Sequence, residues 1–270
     1  MIEAMAEWEQ DFPTPSGEQP DKPLVLIPVT AQDVERRKRK IVLCCIAVCA
    51  ILAGSAWYTY KRINDPVEAR QAYDSGVRLM HATRYDQAVL NFERAIRIRP
   101  EMADAYLMRA RTFVLESKLE PAIADFTSAA ELRPADAGVL VERGFAYLGV
   151  NDAPHALADA ERALTLDTKS AQAYNLRGAA ERATGNPSKA VDDYTRAIDL
   201  EARLEYYFQR ASTFQLLGDH QHALIDFNRA VEFSPDQPHL YFARAQSKAA
   251  LGDVEGSKQD ILTGRKIDGW

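Results

Sequence analysis

The chain has 270 residues, 47% of them hydrophobic and 27% charged, with a formal net charge of −6. That composition is an ordinary globular one. Beyond residue 68 the sum is 25 bases against 29 acids, a surface that repels polyphosphate and excludes a nucleic-acid-binding role. The three cysteines, Cys44, Cys45 and Cys49, all fall in one apolar run, so the remainder can hold neither a disulfide framework nor a thiolate zinc site.

Residues 1–40 are expected to form a disordered cytoplasmic tail. They contain Pro13, Pro15, Pro20, Pro23 and Pro28 and end in the basic cluster Arg36-Arg37-Lys38-Arg39-Lys40. Too little apolar surface is available there to offset chain entropy. Pro23-Leu24-Val25-Leu26-Ile27-Pro28-Val29 is the one apolar stretch, read as linker in preference to an extended docking motif.

Ile41–Tyr60 holds no charge over 20 residues. As a helix it is long enough for the roughly 30 Å hydrocarbon core of a bilayer, and Trp57, Tyr58 and Tyr60 suit the headgroup boundary at its far end. The five-base run should hold the amino terminus in the cytoplasm, which makes 41–60 a single transmembrane helix of signal-anchor type. Gly54-Ser55-Ala56 offers a cleavage site, but forty residues before the apolar core is long for a signal peptide of about 15–30 residues in all. The cysteines read as lipid-facing apolar side chains, with reversible acylation the sharper alternative. Residues 61–68 form a short linker, with Asp65-Pro66-Val67-Glu68 expected to cap the next helix.

From residue 69 onward the chain repeats itself. Ala88, Ala122, Ala156, Ala190 and Ala223 recur at intervals of 34, 34, 34 and 33, and Ala95, Ala129, Ala163, Ala197 and Ala230 keep step, followed by Gly264. An aromatic stands four residues after the first alanine at Phe92, Phe126, Tyr194 and Phe227, with Ala160 the exception. Tyr106, Ala110 and Phe113 share one helical face; Ala122, Phe126 and Ala129 share another. Pro121, Pro154 and Pro187 fall near starts of second helices, and Gly185-Asn186-Pro187 and Gly218-Asp219 mark turns. Together, Tyr106, Ala110 and Phe113, Ala122-x₃-Phe126 and the closing Pro134 resemble the tetratricopeptide repeat. Thr168 and Ala202 depart from the closing proline. The resemblance implies an all-α, right-handed solenoid of about six helix-turn-helix repeats, near 69–102, 103–136, 137–170, 171–203, 204–237 and 238–270. It also implies a scaffold for other proteins, and with the anchor at 41–60 and the basic run before it the expectation is a membrane-anchored scaffold in cell-envelope assembly with its repeat domain outside the cytoplasm. The alternative is a cytosol-facing docking receptor or co-chaperone.

Two sets of side chains stand out. Arg109, Arg143, Arg177, Arg210 and Arg244 follow the first anchor of five repeats, and Asp125, Asp159, Asp193, Asp226 and Asp260 precede the second-helix aromatic position of the same five. The first repeat has Ser75 and Asn91 instead. Equal numbers of opposite charge point to a structural ion-pair ladder, within a repeat or between neighbours. The resemblance also places Tyr73, Leu107, Val141, Asn175, Phe208 and Phe242 in a row on the inner face, with Arg111, Phe145 and Arg182 beyond them. These nine are the candidate partner-binding residues, for an extended apolar segment or amphipathic helix. The basic constellation of the family's carboxylate-clamping members is missing, since the inward rows hold only Arg70, Arg111 and Arg182 as fixed cations. His220 and His222, two apart, point away from each other on a helix, and no nucleophile elbow, phosphate loop or HExxH is present, so no metal, cofactor or catalysis is expected.

Overall fold

A computed structural model describes residues 31–269; residues 1–30 and Trp270 lie outside the described residues, and with them Pro23–Val29 and most of the expected tail. Among the described residues there are twelve helices and no strand. The chain divides into two units, residues 1–60 and 61–270.

α1 runs from Ala31 to His81. Two boundaries read from the sequence are therefore corrected. Residues 31–40 are helical and not part of a disordered tail, because no proline follows Pro28 there and Gln32, Glu35 and the Arg/Lys run are good helix formers. Asp65-Pro66 does not start a new helix either, as Pro66 lies inside α1. Proline keeps a helical φ and removes one backbone hydrogen bond, and at an exposed position water can take the freed carbonyl. Taken over the described residues, no helix is long and apolar enough to cross a membrane. The side chains of Ile41, Cys44, Ala56 and Thr59, which complete the uncharged run, lie outside the described ones.

In the second unit the end of α1 pairs with α2 (Tyr85–Ile98). Five more hairpins follow: α3 (Ala103–Leu115) with α4 (Leu119–Leu132), α5 (Ala137–Gly149) with α6 (Ala153–Leu166), and α7 (Ala171–Ala183) with α8 (Pro187–Leu200). α9 (Leu204–Leu216) with α10 (His220–Phe233) and α11 (Pro238–Ala250) with α12 (Val254–Ile267) complete the stack. Each second helix also packs on the next first helix, so the unit is a tetratricopeptide-type solenoid. The alanines of both columns are fully buried, as are Phe92, Phe126, Tyr194 and Phe227. Where Ala160 replaces the aromatic, the fully buried Leu176 of the next repeat fills the core beside it.

Every hairpin turn places one residue in the left-handed region. Gly185, Gly218 and Gly252 do so in the last three repeats, with φ of 87°, 77° and 84°. Thr83, Ser117 and Asn151 do so in the first three, with φ of 57°, 59° and 60°. Only glycine adopts that backbone without a steric cost, and a β-branched side chain suits it least. Thr83→Gly should therefore raise the stability of the chain by about 1 kcal/mol, a Tm gain of about 2–4 °C. A fall in Tm would mean that the 2.7 Å hydrogen bond from Thr83 Oγ1 to the Ala82 carbonyl outweighs the strain.

Candidate protein-binding groove

Five arginines hold the hairpins in register. Arg109 donates to both oxygens of Asp125 at 2.7 Å; Arg143 does the same to Asp159 at 2.8 and 2.6 Å, and Arg210 to Asp226 at 2.7 and 2.8 Å. Arg177–Asp193 and Arg244–Asp260 repeat the geometry, and Lys248 adds a second cation 2.9 Å from Asp260. All ten residues are thus brought together in pairs within one repeat. Each guanidinium also lies near a tyrosine ring, 5.3–6.0 Å from its centroid: Tyr106, Tyr147, Tyr174, Tyr207 and Tyr241 in order.

The same arginines reach back to the second helix of the preceding repeat, a column that sequence reading missed. Arg143 donates to Thr127 Oγ1 at 3.2 Å, Arg210 to Thr195 Oγ1 at 2.9 Å and Arg244 to Asn228 Oδ1 at 3.0 Å. Arg109 stands 3.9 Å from Glu93. Asp193 chiefly, and Glu161 at longer range, raise the Arg177 guanidinium above its usual range. The 34-residue spacing would have located this column, but its chemistry varies among carboxylate, hydroxyl and amide. In the first repeat the substitutes are satisfied locally: Ser75 accepts from Arg78 at 2.9 Å, and Asn91 donates to the Gln87 carbonyl at 2.8 Å.

First helices pack directly on their next-but-one neighbours, α5 on α7, α7 on α9 and α9 on α11, while the second helices stay apart. The face of first helices is therefore the inner, concave one. α3 packs less closely on α5, and the gap is a cleft of about 450 Å³ lined mainly by carbon. Val114, Leu115 and Phe145 form its walls, Met80 its end and the buried Phe126 its floor. Arg111 closes one edge by a two-point ion pair with Glu142 of the next repeat, at 2.7 and 2.6 Å.

The nine candidate partner-binding residues do not form one continuous exposed row. Arg111 and Phe145 line the cleft and are exposed. Leu107 packs beside it against the Ala110–Phe126 core. Tyr73 and Phe208 are half-buried, with rings 6.0 Å from Phe92 and 5.8 Å from Phe227. Phe242 lines a second, more polar hollow with Gln246, Ile261 and Arg265 at the far end. Val141 and Asn175, each 3% exposed, are closed off by neighbouring helices. Asn175 donates from Nδ2 to Glu205 at 3.2 Å, and its Oδ1 has no partner among the described residues. Arg182 is half-buried near Tyr194, whose phenol burial chiefly pushes up to about 12. Met80, Leu119 and Glu142 belong to the cleft and carry no signal in the sequence. No group of three His, Cys, Asp or Glu side chains among the described residues is placed to hold a metal.

Family models described as tetratricopeptide repeat match residues 73–137 and 141–207, and another of the same description matches 204–237. No curated protein matches the chain. Among solved structures, the APC/C hetero-tetramer Cut9-Hcn1 superposes with a TM-score of 0.67 at 14% identity, covering 78% of this chain and 42% of that one. This chain therefore spans less than half the length of that relative. PilW, a widely conserved type IV pilus biogenesis factor, gives a TM-score of 0.66 at 19% identity, covering 71% and 90%. TTC0263, a thermophilic protein of Thermus thermophilus, gives 0.56 at 24% identity, covering 68% and 98%. At these identities the likeness is one of fold.

Two outcomes test the ladder. Arg210→Ala strands Asp226, 3% exposed as a side chain, and should cost about 2–4 kcal/mol in urea unfolding; a loss below about 0.5 kcal/mol would contradict the pairing. The Asp260 carboxyl is pushed up by burial, but hydrogen bonds from Arg244 and Lys248 outweigh this and hold it below the usual 3.8. A lowered folded pKa gives stability that is present above the unfolded value and is lost as pH falls through the folded one. Asp260→Asn should therefore melt below the parent at pH 7, with the gap closing only as pH falls below about 3.8. A gap independent of pH would remove the ion pair as its cause.

Proposed function

This chain belongs to the tetratricopeptide-repeat family, and on that premise we propose that it is a membrane-anchored scaffold that holds polypeptide segments of partner proteins on its concave face. The observation that carries this reading is the apolar cleft between α3 and α5. A monomer gains nothing by leaving Phe145, Val114 and Leu115 half in water along a gap that its own helices close elsewhere, and such apolar concavities mark interaction sites. The occupant is an apolar side chain of an extended segment or one face of an amphipathic helix, with Arg111 and Glu142 fixing the polar edge.

Anchoring rests on residues 41–60. They hold no charge, lie within α1, and leave the large side chains of Val42, Leu43, Ile46, Val48, Ile51 and Leu52 exposed. Apolar surface on that scale needs a cover, and a bilayer supplies one of the right length. The preceding Arg36–Lys40 run favours a cytoplasmic amino terminus and a solenoid on the opposite side. An envelope role is supported further by the fold shared with PilW, a type IV pilus biogenesis factor.

Panning a random twelve-residue display library over the full chain should recover peptides rich in Leu and aromatic residues. Phe145→Asp should weaken them at least tenfold while lowering Tm by only a few degrees, since the ring is already 37% exposed. Protease added to sealed right-side-out vesicles should digest the solenoid. Protection until detergent is added would contradict that topology and favour the cytosol-facing receptor.

A further inference from the structure

Charge is not shared evenly among the repeats. Residues 61–99, which make the first hairpin, carry eight bases and five acids, whereas residues 100–270 carry nineteen bases and twenty-six acids. The first hairpin is thus a cationic end on an acidic array. Pairing removes part of the excess. Arg70 meets Asp74 at 3.0 Å, Arg99 meets Glu101 at 2.9 Å, and Arg84 shares a small hollow at the turn with Asp86 and Glu116. Glu93 stands 3.9 Å from Arg109 of the next repeat. Arg94 and Arg97 of α2 are left with no carboxylate partner among the described residues.

These two arginines share a stripe with an apolar side chain. Leu90, Arg94 and Arg97 are spaced i, i+4, i+7 on α2, and all three are exposed, Leu90 to 64%. The repeat period shows what is unusual here. In α10 the two arginine positions hold Arg229 and Glu232, an ion pair at 2.7 Å, and in α8 they hold Arg196 and Asp199. No other second helix has two cations there. Like charges one turn apart on a helix repel, so α2 carries a small cost that a counter-charge outside the fold would relieve. Two guanidiniums beside an uncovered leucine suit one kind of surface. Guanidinium pairs with phosphate oxygens, and an aliphatic tip inserts between headgroups.

We propose that the outer stripe of α2 is a docking surface for the anionic lipid headgroups of the membrane that holds the chain. This rests on the anchoring read from residues 41–60. The chain enters the first hairpin directly from that run, which keeps lipid at high effective concentration. A short cationic stripe is then enough to hold the hairpin down. The acidic repeats that follow are repelled by the same lipid charge, so the contact is confined to α2.

The probe is the full chain in vesicles of phosphatidylcholine alone, or of an equal mixture with phosphatidylglycerol. Cys44, Cys45 and Cys49 are replaced by serine, and an environment-sensitive dye is attached at Leu90→Cys or, as control, at Ile225→Cys, the same position in the fifth repeat. On mixed vesicles the Leu90 dye should brighten several-fold over neutral ones, and the Ile225 dye should not change. Arg94→Gln with Arg97→Gln should abolish the gain, as should roughly 1 M salt, which cuts the screening length to about 3 Å. Equal emission from the Leu90 dye in both lipids, or equal brightening at Ile225, overturns the docking surface. Flotation of the vesicles separates this from anchoring. A chain that floats with both lipids without brightening at Leu90 loses the docking surface and keeps its anchor. One that floats only with mixed vesicles, and brightens there, loses the anchor and keeps the docking surface. Flotation with neither overturns both.

Discussion

A guanidinium with three neighbours sets the geometry of the solenoid. Each arginine from the second repeat onward grips the aspartate of its own second helix at two points and lies near a tyrosine ring, and Arg109, Arg143, Arg210 and Arg244 also turn a remaining edge toward the second helix of the repeat before. The first contact fixes the spacing within a hairpin, and the third fixes the angle to its neighbour. Desolvation offsets much of the Coulombic gain of such a pair, so its contribution is to select one arrangement more than to add stability. The alanine columns act with it. With no side chain beyond Cβ at Ala122 or Ala129, the hairpin can close until arginine and aspartate meet.

Function follows from what this frame leaves open. First helices touch at α5–α7, α7–α9 and α9–α11, and the gap left between α3 and α5 is the apolar cleft. One period operating on different residue types places apolar side chains at Leu107, Val114 and Phe126 and polar ones at Asn175, Arg182 and Tyr194.

Much of this was legible in the sequence because it depends on residue identity at a fixed period. The alanine columns, the aromatics and the Arg–Asp pairs each repeat one chemistry, and the structure places them as pairs or core. Features built from mixed chemistry were not legible. Glu93, Thr127, Glu161, Thr195 and Asn228 occupy one position but vary among three residue types, and Thr83, Ser117 and Asn151 hide the same left-handed turn that Gly185 makes plain. Exposure along the inner row was equally hidden. Val141 is closed and Phe145 open through contacts with helices of neighbouring repeats, which no local pattern encodes. Pro66 misled as a helix start, because a lone proline at an exposed position can be absorbed within a helix.

Binding of partners along the face of first helices is tested most directly by site-specific photo-crosslinking in living cells. The photoreactive residue is placed in turn at Leu115 and Gln246 on first helices and at Leu90 and Ile225 on exposed faces of second helices. Discrete adducts with a common partner are predicted from Leu115 and Gln246, and none from Leu90 or Ile225. Adducts confined to Leu90 and Ile225 would contradict that placement and move the binding surface to the outer helices.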